Sequence, residues 1–351
     1  MAKQEVSGAH LPTQALALFL YENELIKDKL SPLEVRQFTN GYSNLTYLLR
    51  VEGRELVLRR PPAGAIKRGH DMAREYKVLS HLSPHFSKAP KTYAYEATGD
   101  ILGVPFYLME NIDGVVITYK EAARRGLTAS DFKVISTSWL DTFVAFHSLD
   151  YKAVGLGDLG KPEGYVERQV TNWGKQYLKA ATQDLPAATK VTRWMLDHQP
   201  KVYAHTLIHN DFKYDNLVYA EDNWSQINAI LDWEMCTLGD PLMDLGTSLG
   251  YWVMESDGPV FGQTIPSPTI FPGNPSRSEL VQAYATKSGR DVDNLVFYYV
   301  FGLFKIAVIV QQIYYRYAKG LTQNPKFSKL DQVCAFLCET AQQAIERKRI
   351  E

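Results

Sequence analysis

The amino-acid sequence predicts an α+β protein with a small β-rich N-terminal lobe, residues 1–112, and a larger, mainly helical C-terminal lobe, residues 113–351. Two patterns support this division. In the first third, short runs rich in β-branched and aromatic residues are bounded by glycine and proline, as strands are. After Gly114, apolar residues recur at helical spacing over long stretches. A short connector, residues 111–115, joins the two lobes.

The N-terminal lobe is predicted to contain a hairpin and a central helix. Its expected elements are a helix from Leu11, strands Leu45–Val51 and 55–59, a helix over 71–82, and two strands around Gly99. The sequence Glu52-Gly53-Arg54 supplies a turn between the first two strands. Pro61 ends the second strand, because proline has no amide hydrogen to donate to a sheet.

The C-terminal lobe is predicted to be built from helices. They are expected over 130–150, within 163–198, from Asp240, and over 277–288, 291–318 and 329–349, with an irregular excursion over 255–276. Asp240 followed by proline is typical of a helix start. The apolar run 301–317 contains Lys305 and is short for a bilayer, so it is predicted to be a buried core helix.

Composition excludes several classes of protein. The chain has 351 residues, a formal net charge of -1 and 45% hydrophobic residues, which argues against nucleic-acid binding through phosphate neutralisation. Three cysteines are too few for a disulfide framework. The first residues lack the apolar core of a signal peptide. We therefore expect a cytoplasmic protein without a membrane or nucleic-acid partner; its oligomeric state is not predicted.

Two polar stretches each come directly after a short apolar run. This order is typical of a loop that follows a β-strand. "HNDFKYDN" contains Asp211, Lys213 and Asn216, and "ILDWE" contains Asp232. Carboxylate and amide oxygens, with no cysteine and one adjacent histidine, suit a hard cation such as Mg²⁺, which commonly shares its ligands with substrate phosphates. A lysine among them suits a polyanionic substrate. The alternative is a polar loop whose carboxylates only cap backbone amides.

These stretches resemble the catalytic and metal-binding loops of the protein-kinase-like superfamily. The closer resemblance is to the aminoglycoside phosphotransferase family, which includes choline kinases, and "GDPLMDLG" and "GYSNLTYLL" are further marks of it. "LVLRRPP" and "REYKVL" resemble the branch related to the kinase-like domain fused to some acyl-CoA dehydrogenases. The resemblance covers residues 38–252 and implies a bilobal protein-kinase-like fold.

The resemblance implies roles for the residues of the two loops. Asp211 would orient the acceptor hydroxyl and take its proton, and Lys213 would contact the transferring phosphate. Asn216 and Asp232 would hold Mg²⁺. Three further residues would support the site structurally: His209, Asp240, which would cap its helix, and Asp244, which would brace the catalytic loop.

The resemblance also assigns nucleotide contacts in the small lobe. The phosphate-covering loop would be "NGYSN", with Gly41, Ser43 and Asn44 near the β-phosphate. The cation that kinases place on the third strand is Arg59 instead of lysine, and its helix partner would be Glu75. The nucleobase would lie against backbone groups at Glu110 and Ile112.

The function expected from these residues is transfer of the γ-phosphate of ATP, or of GTP in its place, to a hydroxyl of a small molecule with Mg²⁺. A protein kinase is disfavoured, because only seven residues separate Asp232 from Asp240 and leave no room for a peptide-docking segment. The alternatives are a catalytically silent nucleotide-binding module, which Arg59 would suit, and a metal-dependent hydrolase using His209. Glu255 and Asp257 are candidates for lining the acceptor site.

Overall fold

The computed structural model of the chain describes residues 5–7, 11–38, 44–62 and 71–351. The strands are β1 (Glu5–Ser7), β2 (Glu34–Phe38), β3 (Leu45–Val51), β4 (Arg54–Arg60), β5 (Thr92–Glu96), β6 (Phe106–Glu110), β7 (Thr206–Ile208), β8 (Leu217–Ala220), β9 (Asn223–Ile230) and β10 (Thr237–Gly239). The helices are α1 (Thr13–Glu22), α2 (Met72–Leu82), α3 (Tyr119–Arg125), α4 (Ala129–His147), α5 (Tyr165–Ala180), α6 (Pro186–Asp197), α7 (Pro241–Gly250), α8 (Pro259–Thr264), α9 (Arg277–Ser288), α10 (Leu295–Ala318) and α11 (Leu330–Arg347). The predicted α+β class, strand-rich first and mainly helical afterwards, is confirmed.

The chain forms two compact units that are discontinuous in sequence. Unit 1 comprises Met1–Ile117, Lys152–Leu156 and Asp215–Cys236, and unit 2 comprises the remaining segments. The predicted lobes are continuous and divide after residue 112, whereas the structure adds the β8–β9 hairpin to unit 1. Backbone pairing explains this: Val115 forms a bridge with Tyr219 of β8.

Unit 1 is organised around an antiparallel sheet of six strands in the order β1-β2-β3-β4-β6-β5. Strands β3 and β4 form the predicted hairpin, with Leu45 opposite Arg60 and Val51 opposite Arg54. Helix α1 packs Leu16 and Leu20 into a core that the strands complete with apolar side chains. The hairpin register matters for function, because it fixes the direction in which Arg59 points.

Helix α2 begins after Asp71, whose carboxylate accepts a hydrogen bond from the Arg74 amide at 3.1 Å. It buries an apolar face that includes Val78 and Leu79, and Glu75 lies on the same buried side of the helix. A charged residue on a core-facing position needs a partner.

The connector passes β8 at a distance that only glycine allows. Gly114 has a φ of +143°, and a Cβ placed there would lie 2.3 Å from the Tyr219 carbonyl oxygen. The Asn228 amide donates to the Asp113 carbonyl oxygen at 2.8 Å in the same region. The connector is therefore fixed against the β8–β9 hairpin within unit 1.

In unit 2 the long helix α10 packs closely on α7. A Cβ on Gly302 would lie 2.0 Å from the Gly246 carbonyl oxygen, so the two backbones touch at this crossing. The 24 residues of α10 make it the one helix in the described part of the chain that is long and apolar enough to cross a membrane, and 72% of its apolar window is buried. The prediction that this segment is too short was wrong; the prediction of a buried core helix is confirmed.

Candidate active site

Unit 1 encloses a cavity of about 360 Å³ beside the connector. The side chains that line it are mostly apolar and come from the sheet and from the β8–β9 region; they include Leu48, Val57, Met109, Val218 and Leu231. A volume of this size with apolar walls and a few polar groups is typical of a small-molecule site. Glu110, at the end of β6, and the connector residues 111–114 form its remaining edge.

Both predicted connector contacts, Glu110 and Ile112, line this cavity. Within the described residues, neither the backbone N–H nor the C=O of Ile112 is hydrogen-bonded to another group of the protein. The Glu110 side chain is engaged elsewhere, since its Oε1 accepts from the Lys91 amide at 2.7 Å. Ile112 therefore lines the cavity with a backbone donor and acceptor that no described group of the protein uses.

A polar cluster that the sequence did not reveal lies on the cavity wall. Glu55 accepts hydrogen bonds from Arg50 Nε and from the Asn111 amide, each at 2.7 Å. The hydrogen bond from Arg50 lowers the pKa of the Glu55 carboxyl, so this carboxylate stays ionised at neutral pH. It ties the connector to the β3–β4 hairpin.

Arg59 is the centre of a partly buried charge cluster in unit 1. Its Nε contacts Glu75 Oε2 at 3.1 Å, and its second terminal nitrogen contacts Asp232 directly and Glu234 at 3.5 Å. Burial would lower the pKa of Arg59, but the charges of Glu75 and Asp232 outweigh it and raise the pKa. Burial raises the pKa of Glu75 against the opposing attraction of Arg59. The structure thus brings together the two residues expected to pair, and adds both acidic residues of "DWE".

The two residues expected to hold Mg²⁺ lie on adjacent segments of unit 1. Asn216 and Asp232 flank the β8–β9 hairpin, and the Leu231 amide donates to the Asn216 carbonyl oxygen at 2.8 Å. Asp232 has a φ of +67° and begins a 3-10 turn, Trp233–Met235. Among the described residues no group of three or more His, Cys, Asp or Glu could hold a metal ion. One carboxylate and one amide fit a Mg²⁺ ion that takes its other ligands from phosphates and water.

The expected phosphate-covering loop is described only at its end. Gly41 and Ser43 lie outside the described residues, so their predicted role stays a prediction. Asn44 is 6% exposed, and its amide donates to Glu234 Oε2 at 2.8 Å. Asn44 is therefore held by the residue that also contacts Arg59.

The loop that contains Asp211 follows β7 in unit 2, where β7 pairs with β10, and one carboxylate holds this loop. Asp244 Oδ2 accepts from the His209 amide at 2.6 Å, and its Oδ1 accepts from the Asn210 amide at 2.7 Å. Asn210 has a φ of +69°, a left-handed conformation that costs energy for a non-glycine residue. The His209 ring accepts from the Asp211 amide at 3.3 Å, which is a structural contact.

Asp244 is fixed in turn by two residues that the sequence did not single out. His147 Nε2 donates to Asp244 Oδ2 at 3.2 Å, and His147 Nδ1 accepts from the Tyr284 hydroxyl at 2.8 Å. Burial lowers the pKa of His147, which keeps the ring neutral at pH 7. Burial alone would raise the pKa of Asp244, but the hydrogen bond from His147 outweighs it and the pKa is lowered. A fully buried, ionised carboxylate therefore braces the loop.

Asp211 and Lys213 contact each other in unit 2. The Lys213 ammonium lies 3.1 Å from Asp211 Oδ2 and 4.5 Å from the centre of the Tyr251 ring. Both side chains are partly exposed, at 20% for Asp211 and 27% for Lys213. Because both groups are accessible to solvent, the carboxylate could accept a hydrogen bond from a hydroxyl and the ammonium could bind a phosphate.

Asp240 caps α7 and is buried. Its Oδ1 accepts from the Leu242 amide at 2.9 Å and its Oδ2 from the Tyr298 hydroxyl at 2.7 Å. Burial raises the pKa of Asp240 to about 6, from an ordinary value of 3.8. Between these pH values the folded protein binds a proton that the unfolded chain releases. The contribution of protonated Asp240 to the free energy of unfolding is therefore fully present below pH 3.8, and it is lost as the pH rises through about 6.

Asp240→Asn is expected to remove this pH dependence while keeping the helix cap, because asparagine caps as well as aspartate. The stability of the wild type relative to the variant should fall by about 2 kcal/mol between pH 4 and pH 7, since one pKa unit corresponds to about 1.4 kcal/mol and part of the loss has already occurred at pH 4. Urea unfolding of both proteins at the two pH values measures the change. An equal difference at both values would contradict it.

The two acidic residues predicted near the acceptor site, Glu255 and Asp257, have different surroundings in the structure. Asp257 forms a two-pronged ion pair with Arg277, at 2.8 and 2.6 Å, and Arg277 is 1% exposed. This ion pair connects the segment 255–276 to the first residue of α9. Asp257 is therefore ion-paired within unit 2, whereas Glu255 is exposed, and the role of both residues in lining an acceptor site stays a prediction.

The fold, with its connector cavity and its two groups of polar side chains, is a kinase-like phosphotransferase fold. The chain belongs to the phosphotransferase enzyme family known as APH, whose family model matches residues 34–267. It is 32% identical over 333 residues to mouse acyl-CoA dehydrogenase family member 10, covering 94% of this chain and 31% of that protein. The chain thus spans about a third of the length of this relative.

Solved structures share the fold. The crystal structure of a Ralstonia eutropha JMP134 protein provisionally named an aminoglycoside phosphotransferase has a TM-score of 0.82 and 27% identity, covering 96% of this chain and 99% of that one. A thermostable mutant of aminoglycoside phosphotransferase APH(4)-Ia, in a ternary complex with AMP-PNP and hygromycin B, has a TM-score of 0.60 and 14% identity, covering 94% and 98%. The second likeness concerns the fold alone. The resemblance inferred from the sequence motifs is confirmed.

Proposed function

We propose that this protein transfers the γ-phosphate of ATP to a hydroxyl of a small molecule in a Mg²⁺-dependent reaction. The observation that carries the proposal is the braced catalytic loop: Asp244 binds the two amides that precede Asp211. Such bracing serves a residue whose carboxylate must be held in one orientation. A loop that merely capped backbone amides would not need it.

The connector cavity supports a nucleobase site in unit 1. Its apolar walls suit a planar heterocycle, and the unbonded N–H and C=O of Ile112 suit its polar edge. The AMP-PNP complex of APH(4)-Ia shows that a protein of this fold binds an adenine nucleotide. GTP in place of ATP would use the same cavity.

Asn216 and Asp232 are proposed as the protein ligands of Mg²⁺. The ion, when bound, would neutralise phosphate charge and lower the cost of moving the phosphoryl group. The residues of this chain then act on the acceptor: Asp211 orients the hydroxyl and takes its proton as the hydroxyl oxygen bonds to the γ-phosphorus, while the bond from that phosphorus to the β–γ bridging oxygen breaks and ADP leaves. The Lys213 ammonium is placed beside Asp211 and stabilises negative charge on the transferring phosphate.

A second candidate, a silent nucleotide-binding module, is favoured by one observation. Arg59 contacts Asp232, the expected metal ligand, as well as Glu75. A guanidinium in this position competes with Mg²⁺ for the carboxylate. In an active enzyme, Arg59 would have to exchange this contact for the metal or for nucleotide phosphate.

The acceptor is proposed to be neutral or acyl rather than polycationic. Asp257, one of two carboxylates available in the excursion, is neutralised by Arg277. The mouse relative carries the name of an acyl-CoA dehydrogenase, which makes hydroxyacyl compounds the first acceptors to try. Aminoglycosides and amino alcohols complete the panel.

The test is phosphate transfer from γ-labelled ATP to this panel, with and without Mg²⁺. Mg²⁺-dependent labelling of one acceptor class supports the proposal. Stabilisation against heat by Mg²⁺-ATP without any transfer would favour the silent module. Metal-dependent ester hydrolysis without nucleotide would favour a hydrolase instead.

A further inference from the structure

Lys305 is a buried cation in an otherwise apolar stretch of α10. The thirteen buried residues of this helix are aromatic or aliphatic apart from Lys305, Gln311 and the small Gly302. The Lys305 side chain is 2% exposed. Burying an ammonium is costly unless the surroundings stabilise it, so a core helix does not contain one for packing alone.

The Lys305 ammonium donates its hydrogen bonds to the loop that contains Asp211. Its Nζ donates to the Asn210 carbonyl oxygen at 2.6 Å and contacts the Asn210 side-chain oxygen at 3.2 Å. That carbonyl belongs to the peptide that joins Asn210 to Asp211. Asp244 binds the Asn210 amide from the other side at 2.7 Å, so both peptides of this left-handed residue are held.

Burial lowers the pKa of Lys305 to about 8, and the nearby carboxylates of Asp244 and Asp211 limit the decrease, whereas Lys213 adds to it. The ammonium form therefore prevails at neutral pH. In this form all three N–H bonds can donate, which an apolar or neutral amine side chain could not match.

We propose that Lys305 is a positioning residue for phosphate transfer, which fixes the Asn210–Asp211 peptide and thereby the direction of the Asp211 carboxylate. This rests on the proposed function of Asp211. The close contact of Gly246 and Gly302 lets α10 approach α7, and so lets a side chain of α10 reach the loop that Asp244 of α7 holds. Lys305 touches no substrate; it acts through Asn210.

Lys305→Met keeps the length and packing of the side chain and removes the donor. We expect kcat to fall at least tenfold while KM for ATP changes less than twofold, because misorienting a catalytic group slows transfer without weakening nucleotide binding. The matched control is Gln311→Met, also on α10 and 3% exposed, whose amide donates to the Ala180 carbonyl oxygen at 2.9 Å. It removes a buried donor of the same helix that does not serve the catalytic loop, and kcat should stay within twofold.

Equal kcat values for Lys305→Met and Gln311→Met would overturn the proposal. If Lys305→Met does not yield folded protein, Lys305→Gln supplies the comparison, since it keeps a shorter, neutral donor. A reduced kcat with unchanged KM for ATP then supports the proposal, and the kcat of wild type overturns it.

A second readout separates this proposal from the proposed function. Amide hydrogen exchange of residues 209–213 requires no acceptor and should accelerate in Lys305→Met but not in Gln311→Met. If wild type transfers no phosphate while exchange behaves in this way, the function fails but the positioning contact stands. Unchanged exchange in Lys305→Met overturns the positioning role even in an active enzyme.

Discussion

Asp211→Asn is expected to lower kcat for phosphate transfer by about 10²–10⁴-fold, the range typical for loss of a general base. Asparagine has nearly the same shape, but it cannot take the proton of the acceptor hydroxyl or pair with Lys213, which lies 3.1 Å from Asp211 Oδ2. Nucleotide binding should persist, because the connector cavity of unit 1 does not include Asp211. Steady-state kinetics with the accepted hydroxyl compound, together with ATP titration, measures both quantities.

The control for this variant is Asp222→Asn, in the exposed turn between β8 and β9. It removes an equal charge from a position outside the site, so kcat should remain within twofold of wild type. Transfer by Asp211→Asn at the wild-type rate would exclude Asp211 as the base and remove the main support for the proposed mechanism.

Arg59→Met is expected to destabilise the fold by about 3–5 kcal/mol, the usual result of breaking a buried ion pair from one side. The variant leaves Glu75, Asp232 and Glu234 close together without their shared cation, and the Glu75 side chain is 2% exposed. The three carboxylates repel one another, and the buried Glu75 cannot recover water as a partner, whereas Asp232 and Glu234 are partly exposed. Urea unfolding at pH 7 measures the loss.

The matched control is Arg50→Met, which breaks the pair with Glu55 on the same sheet. Both members of that pair are about one third exposed, at 34% and 39%, so the loss should be below about 1 kcal/mol. Similar losses for both variants would show that the Arg59 cluster contributes no more to folding than a surface pair.

Much of the fold follows from local signals in the sequence. Helix α9 is predicted over 277–288 and observed at Arg277–Ser288. The reason is local: Ser276 and Glu279 form a capping box at its start, and Gly289 ends it with a φ of +66°. Strand β2 (Glu34–Phe38) and helix α3 (Tyr119–Arg125) escaped prediction, because neither segment has a clear apolar period of its own.

The supports of the candidate site were predictable only where a motif contains them. The "GDPLMDLG" motif led to Asp240 and Asp244, but His147 lies 97 residues from Asp244 and Lys305 lies 95 residues from Asn210. Each of these looks like an isolated polar residue in an apolar stretch. Their hydrogen-bond partners depend on how the helices pack in three dimensions. The spacing of residues along the sequence does not reveal that packing.

The inclusion of the β8–β9 hairpin in unit 1 bears on how this protein can be dissected. A fragment ending at Ile117 would contain the complete six-stranded sheet but lack Val218 and Leu231, two walls of the connector cavity, and both proposed Mg²⁺ ligands. The unit proposed to bind the nucleotide therefore cannot be isolated by cutting the chain once. A chimaera that exchanges unit 1 between this protein and a relative would have to include residues 215–236 as well as the N-terminal segment.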